Sequence, residues 1–569
     1  MTEPIISFKD VSFQYHSQAE PTLNKVSLDI YPGEKVLIVG ASGSGKSTFI
    51  NCINGLIPFK YKGELSGSIC INQKDANNYT FNERSNYVGT VLQDTDGQFI
   101  GMTAAEDMAF ILENNKVSRI QMHSSVSYWA KKVQIKDHLY KKPQELSGGQ
   151  KQRVSLGGNL IHKTPILIFD EPLANLDPAT GQETMALIED IHKETKSTII
   201  MVEHRLDEAL NNTFDRVILF EEGIVVADTT PDCLLRTTKL RDSGIREPLY
   251  VSAIKYANVS LNELHNLADV NQTLSNPNVK NAISKWYYKT KTALKSSRKQ
   301  TLLELKGISY KYSKNTPEIL NDISLKFNSK EMIGIVGHNG AGKSTLAKAI
   351  CGFIKYEGSM NWLNKSFDQL SIKERSEYVG YVMQNPNHMI SEKMIYDEVA
   401  LGLRLRGVTE IDIEKKVKET LEICGLYVYR NWPIAALSYG QKKRVTIASI
   451  LVLSPKIIIL YEPTAGQDFK HYTEMMDFLS QLNQQGMTII MITHDMHLLT
   501  EYTNRTIMLS EGQVIADIPS IEALTKSELC RKAALRKTTL YQVAENTDVI
   551  PSKDFIEFFI DYDKEVRKQ

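Results

Sequence analysis

Two short apolar runs, KVLIVG at Lys35–Gly40 and MIGIVG at Met332–Gly337, each lead into a glycine-rich loop and then a helical pattern. ILIFD and TIIMV, with IIILY and TIIMI as their second-half copies, are unbroken apolar runs. Such runs predict strands buried on both faces, as in a parallel sheet. Strands alternating with helical stretches predict α/β domains. The stretch from about Asp232 to Gln300 breaks the rhythm, with few strand signals, an Asn276-Pro277 pair and basic residues crowding its end. It reads as the end of one domain followed by a linker. The longest apolar stretches, such as Ile457–Leu460 and Ile199–Val202, fall far short of the roughly 20 residues that span a bilayer. No segment is expected to cross a membrane, so a membrane role would run through a partner.

The pattern occurs twice. GASGSGKST from Gly40 returns as GHNGAGKST from Gly337, and LSGGQKQR from Leu146 as LSYGQKKR from Leu437. ILIFDEP ending at Pro172 returns as IIILYEP ending at Pro463, and TIIMVEH ending at His204 as TIIMITH ending at His494. The order is kept and the offset stays between 290 and 297. A domain-sized period means a tandem duplication, not a solenoid. The expected division is a first domain at 4–240, a linker at 241–300, a second domain at 301–535 and a C-terminal appendage at 536–569.

Composition narrows this only slightly. With 569 residues, Lys+Arg 67 against Asp+Glu 67, and 42% hydrophobic residues, the chain is neither disordered nor a whole-surface polyanion binder. The six cysteines lack CxxC or metal-ligand spacing and fit a reducing, cytosolic setting. The start, MTEPIISFKDVSF, has no basic n-region or apolar h-region and predicts no signal peptide.

GxxxxGK[ST] between a strand and a helix is a phosphate-binding loop: its glycines let backbone N–H groups converge on phosphate oxygens at a helix N-terminus. The candidates are Gly40, Ser42, Gly43, Gly45, Lys46, Ser47 and Thr48, and Gly337, Asn339, Gly340, Gly342, Lys343, Ser344 and Thr345. The lysines would reach the β- and γ-phosphates of ATP, and Ser47 and Ser344 would offer hydroxyls to Mg²⁺. Asp170 would hold the Mg²⁺ shell, while Glu171, with Glu462 in the second copy, would polarise the attacking water. His204 and His494 would contact the γ-phosphate. Gln93 and Gln384, each after a strand-like run, would sense Mg²⁺ and water.

Phosphate loop, Gln loop, LSGGQ, carboxylate strand and His loop, in this order, resemble the ATP-binding-cassette family. The resemblance implies two P-loop cassettes, each with a mostly parallel sheet core, an antiparallel β subdomain and a helical signature subdomain. It also implies that Ser147, Gly148, Gly149 and Gln150 of one signature, and Ser438, Gly440 and Gln441 of the other, face ATP held by the opposite cassette in an intramolecular head-to-tail pair. Tyr15 and Tyr312 match the aromatic that stacks on adenine. Two positions depart from the family. Tyr461 stands where the pattern has Asp, and a phenol is a poor Mg²⁺ partner. Tyr439 stands where the first copy has Gly148. The site built on Lys46, Asp170 and Glu171 is expected to be the better hydrolytic one.

Two functions fit a double cassette without a membrane span. One is a ribosome-acting protein similar to the ABC-F translation factors. These resemble one another in a long, densely charged arm between cassettes, and this linker is mostly uncharged; KWYYKTK at Lys285–Lys291 has the aromatics and charge to contact nucleic acid, although a solvated helix face is the favoured reading. The other is the energy-supplying ATPase of an importer. DTDGQFIGMTAAEDMAFILEN, QNPNHMI…YDEVALGL, EHRLDEAL and GIREPLYVSAIKYA resemble the energy-coupling-factor, cobalt- and vitamin-type importer ATPases. That resemblance implies an integral membrane transporter subunit and a membrane substrate-binding protein as partners. It also implies a peripheral place on the cytoplasmic face of the membrane, a vitamin, vitamin precursor or metal ion as cargo, and no nucleic acid. Phe99–Ala109 would form the surface that receives a membrane-protein helix.

Overall fold

The computed structural model describes residues 3–568 except 93–95, 175, 211–212, 291–299, 314–316 and 466, and not the side chains of 96 and 568. The expected Gln93, and Lys291 of the aromatic-basic patch, lie outside the described residues. The chain divides into two compact units, Met1–Trp286 and Tyr287–Gln569.

In the first unit a six-stranded sheet runs in the order Ile224–Thr229, Arg216–Glu221, Lys35–Gly40, Thr198–Val202, Ile166–Asp170, Val88–Val91. All neighbours are parallel except the first pair, an antiparallel hairpin. Every residue of Lys35–Gly40 and of Thr198–Val202 is buried, which is why these strands read as unbroken apolar runs. A second sheet, ordered Leu23–Ile30, Ile6–Tyr15, Gly63–Ile71, Lys74–Asp75, is antiparallel, and its strands alternate buried and exposed positions. Helices Ala104–Asn114, Arg119–Lys132 and Gly148–Leu160 form a third part. Thr103 with Glu106, and Ser147 with Gln150, close capping boxes at two of their N-termini.

The second unit repeats this plan. Its six-stranded sheet is Val379–Val382, Ile457–Tyr461, Thr488–Ile492, Met332–Val336, Arg505–Ser510, Gln513–Ile518. Its antiparallel sheet is Leu320–Asn328, Thr301–Tyr310, Glu357–Trp362, Lys365–Ser366. Helices Ile395–Arg404, Glu410–Ile423 and Tyr439–Leu451 complete it.

The duplication continues beyond the motifs. Helices Pro231–Leu235, Lys239–Asp242 and Leu249–Tyr256 have counterparts in Ser520–Ala523, Ser527–Lys532 and Thr539–Asn546. Each set carries a buried Leu-Tyr pair, Leu249-Tyr250 and Leu540-Tyr541. The Tyr250 hydroxyl donates to the Leu267 carbonyl at 2.8 Å, and the Tyr541 hydroxyl to that of Ile521 at 2.9 Å. The stretch read as a linker is therefore helical and packed over much of its length, through Val270–Leu274 and into Pro277–Thr290. In the aromatic-basic patch Lys285, Tyr288 and Lys289 are exposed, but Tyr287 is buried. The last helix, Ser552–Lys568, is held to its unit by Lys564 Nζ on the Glu501 carbonyl at 2.5 Å and by Arg567 on the Glu501 carboxylate at 3.2 Å.

One ion cluster recurs in both units and ties the two sheets together. Arg216 grips Asp228 through Nε at 2.7 Å and a terminal nitrogen at 2.6 Å, and its other terminal nitrogen reaches Glu34 at 3.0 Å and the Asp29 carbonyl at 2.9 Å. Arg505 does the same with Asp517, Glu331 and the Lys326 carbonyl. A bidentate guanidinium is the side chain suited to such a joint. Arg216→Ala strands two carboxylates at a sheet junction and is expected to cost about 2 kcal/mol. This would lower the first unit's unfolding midpoint by roughly 5 °C. Calorimetry checks it, and a change of under about 1 °C would contradict the role given to the joint.

Candidate nucleotide and catalytic site

Each unit gathers its chemistry at the C-terminal ends of the parallel strands. Strand Lys35–Gly40 runs into the glycine loop, and helix Lys46–Asn54 begins at the lysine itself. Gly45, at φ 100°, is in the left-handed region, and a Cβ there would lie 2.8 Å from the Thr22 carbonyl oxygen. Gly342 repeats this at φ 99° against the Ile319 carbonyl. No other residue fits these two positions without strain.

Lys46 is buried, and its ammonium donates to the Gly40 carbonyl at 2.8 Å and the Ala41 carbonyl at 2.6 Å. Lys343 is its equal, on Gly337 at 2.7 Å and His338 at 2.9 Å. Thr48, behind the first loop, shares a 3.1 Å hydrogen bond with the Tyr15 hydroxyl. The Tyr15 ring packs edge-on against Phe13 and Tyr61. Tyr312 stands differently, 62% exposed with its ring against Tyr310.

In the first unit Asp170 ends strand Ile166–Asp170, in register with Val202 of the next strand. Glu171 follows in a left-handed turn, its amide on the Val202 carbonyl. His204 Nε2 lies 3.0 Å from Glu171 Oε1. Burial, with the adjacent Glu171 charge, pushes Asp170 up to about 6 against the pull of Lys46 and His204. For Glu171 burial acts upward, but the His204 hydrogen bond and the charges of His204, Lys46 and Arg205 outweigh it and hold the carboxyl below its usual range. Two neighbouring carboxyls at one strand end thus sit in different electrostatic surroundings, Asp170 pushed up by burial and Glu171 held down by its ring of cations.

A third carboxyl, absent from the sequence expectations, lies behind them. Glu203 is buried; its two oxygens accept the Leu173 amide at 2.8 Å and the His204 amide at 3.2 Å. Burial, then the Glu171 charge, pushes it up to about 8. In the second unit this place belongs to Thr493, whose hydroxyl donates to Glu462 Oε2 at 3.1 Å. There the His494 amide donates to Glu462 Oε1 at 2.9 Å, and His494 Nε2 stands 3.9 Å away.

The second unit differs most at Tyr461. Burial raises its phenol, and its side chain hydrogen-bonds Ser344, the loop residue expected to meet Mg²⁺. Ser47 and Asp170 of the first unit form a hard-oxygen pair that fits an ion completing its shell from phosphate and water. Ser344 and Tyr461 bring no carboxylate to the same places and fit it poorly. Among the described residues no cluster of three or more His, Cys, Asp or Glu could hold a metal alone. A further unexpected charge, Lys443, is buried where the first unit has Gln152, and burial lowers it to about 8 against the pull of Glu462.

The signature serines and glutamines cap helices. The Gln150 amide donates to Ser147 Oγ and the Ser147 amide to Gln150 Oε1, as do those of Gln441 and Ser438. This leaves Gly148 and Tyr439 exposed at the first helical position, while Gly149 is buried and Gly440 half-buried. The Ser-x-x-Gln spacing is itself the capping-box signal.

Strand, phosphate loop, helix and carboxylate strand define a P-loop nucleotide-binding fold, present twice. The ABC transporter family model matches residues 23–174 and 320–465, and an ATP-binding cassette cobalt transporter model matches 237–310. A protein of Staphylococcus aureus (strain MRSA252), named as an ABC transporter ATP-binding protein, is 62% identical over 100% of both chains. One so named from Enterococcus faecalis (strain ATCC 700802 / V583) is 53% identical, again over 100% of both. A solved structure, cbiO1 from Clostridium perfringens, described as part of the ABC transporter complex cbiONQ, is 34% identical over 41% of this chain and 94% of that one, with a TM-score of 0.38. The chain belongs to the ABC transporter ATP-binding proteins, and its two cassettes are ATP-binding ATPase domains.

Glu203 supplies a test of the electrostatics. An unfolded Glu ionises near 4.5, whereas Glu203 keeps its proton to about 8. Between these values each pH unit favours the unfolded state by about 1.4 kcal/mol, so this carboxyl's contribution is lost as pH rises. Glu203→Gln does not titrate. The unfolding free energy of the variant relative to the parent is expected to climb steadily from pH 5 to pH 8, by a few kcal/mol in all. A difference flat across that range would contradict the protonated Glu203.

Proposed function

We propose that this chain is the ATP-hydrolysing, energy-coupling subunit of a membrane importer for a vitamin, vitamin precursor or metal ion. It would work at the cytoplasmic face of the membrane with an energy-coupling transmembrane protein and a membrane substrate-binding protein. Residues 4–240 and 301–535 are the two nucleotide-binding domains in this reading, and 241–300 and 536–569 are the segments that follow each. The motif order supports a head-to-tail pairing of the cassettes around ATP.

Within the first cassette, Lys46 and the loop amides bind the phosphates, and Tyr15 borders the loop. Ser47, Asp170 and Gln93 would hold Mg²⁺, which when bound neutralises phosphate charge and supports the leaving group. Glu171 polarises water, and His204 fixes the orientation of that carboxylate. The second cassette keeps Lys343, Glu462, His494 and Gln384 but has Tyr461 in place of a carboxylate. It binds ATP and turns over slowly.

The observation that carries coupling is an apolar surface next to the expected Gln loop. Ile100 is 67% and Met102 79% exposed, just before helix Ala104–Asn114, whose Ala104, Met108 and Leu112 face inward. Two large apolar side chains left in water beside a nucleotide site suit a partner helix. The cobalt-transporter match over 237–310 supports the same transporter class.

The affinity-tagged chain, purified from detergent-solubilised membranes, is expected to bring down an integral membrane protein. Ile100→Asp/Met102→Asp is expected to cut that recovery tenfold or more, because each buried apolar side chain is worth about 1.5–3 kcal/mol. Unchanged recovery by a folded double variant, or recovery of ribosomes instead, would overturn the proposal.

A further inference from the structure

Two residues of the second cassette differ together from their first-cassette counterparts, and the fold brings both to one carbonyl. Tyr439 and Lys443 stand where the first repeat has Gly148 and Gln152. They are four residues apart on helix Tyr439–Leu451 and so share a face. The Tyr439 hydroxyl donates to the Gln384 carbonyl oxygen at 3.1 Å, and Lys443 Nζ donates to the same oxygen at 2.6 Å. The ammonium also reaches the carbonyls of Met383 at 3.3 Å, Glu462 at 3.2 Å and Tyr461 at 3.5 Å. One side chain thereby joins the Gln loop, the end of the carboxylate strand and the signature helix.

The first repeat shows that packing alone does not ask for a charge here. Gln152 fills the equivalent place, and its neutral amide donates to the Pro172 carbonyl at 2.6 Å. Burying an ammonium costs more than burying an amide unless several acceptors surround it. In the second cassette those acceptors belong to the two loops that border the phosphate site. Tyr439, 41% exposed, spends its hydroxyl on the same loop although solvent is available. A loop held from behind by two donors opens less often, and loops that border a nucleotide must open for it to leave.

We propose that Tyr439 and Lys443 are positioning residues that latch the Gln loop of the second cassette to its signature helix. The latch slows nucleotide release, so that this cassette holds ATP while the first one turns over. It rests on the reading of Lys343, Gln384 and Glu462 as a nucleotide site and adds to it a cause for retention.

The full-length chain carrying Lys46→Ala, which disables the first loop, isolates the second cassette. Hydrogen exchange of peptides covering residues 380–390 reports loop opening, and chase of labelled ATP reports release. Lys443→Gln, which installs the first repeat's residue, is expected to raise both rates tenfold or more. Tyr439→Phe removes one exposed hydroxyl and no packing, and is expected to raise both roughly threefold to fivefold. Because the two donors share an acceptor, the double variant should show coupling instead of the product of the single effects. Unchanged loop exchange in both single variants would overturn the latch. Faster exchange with unaltered release would overturn its role in retention and leave only a structural tie. A Lys46→Ala parent that binds no ATP would overturn the nucleotide reading of the second cassette, and the latch's function with it. One bound ATP whose release ignores both substitutions would overturn the latch's role in retention and leave the nucleotide reading standing.

Discussion

Each cassette is arranged around a buried ammonium held by the carbonyls of its own loop. Lys46 and Lys343 point back at the carbonyls of the strand and loop that precede them. This fixes a tight loop, left-handed glycines before the lysine and a helix that starts on it. The parallel register then sets everything else. Gly40 lies beside Phe220 and Asp170 beside Val202, so the loop and the carboxyls end at the same edge. A positive charge facing two carboxyls at the mouth of a sheet is a site for a polyanion with its cation. At the opposite ends of these strands Arg216 and Arg505 keep the antiparallel sheet in fixed relation to the parallel one.

Much of this was readable in the chain because it rests on local rules. Fully buried parallel strands leave unbroken apolar runs, and phosphate loops need their glycines at fixed spacing. The features that sequence reasoning missed rest on tertiary contacts. Nothing local marks Glu203 as protonated: its shift comes from burial beside Glu171. The helical tails lacked phosphate chemistry and passed for a linker and an appendage, although the paired Leu249-Tyr250 and Leu540-Tyr541 were visible. The Ser-x-x-Gln of each signature reads as an ATP contact, while its spacing also encodes a helix cap. Lys443 was in plain sight as the difference between KQR and KKR, but its meaning needed the Gln384 carbonyl.

Gene duplication normally leaves two equal sites, and here the differences fall together. Asp170 becomes Tyr461, Glu203 becomes Thr493, Gly148 becomes Tyr439 and Gln152 becomes Lys443. Each removes a carboxyl from the second cassette or adds a hydrogen-bond donor there. The phenol occupies Ser344, the threonine engages Glu462, and the tyrosine and lysine hold the Gln loop. In the proposed account these changes trade turnover for retention. A cassette with a carboxyl pair cycles, while its twin with neutral and cationic replacements holds nucleotide.

That inequality is the central claim, and it is tested most directly by neutralising each water-polarising carboxyl in turn. Steady-state ATP hydrolysis would be measured for Glu171→Gln and Glu462→Gln in the full-length chain, with bound nucleotide and thermal midpoint measured alongside. The account predicts a loss of about a hundredfold or more for Glu171→Gln, with ATP still bound, and a loss of no more than a few-fold for Glu462→Gln. Equal losses in two folded, ATP-binding variants, or a greater loss for Glu462→Gln, would contradict it.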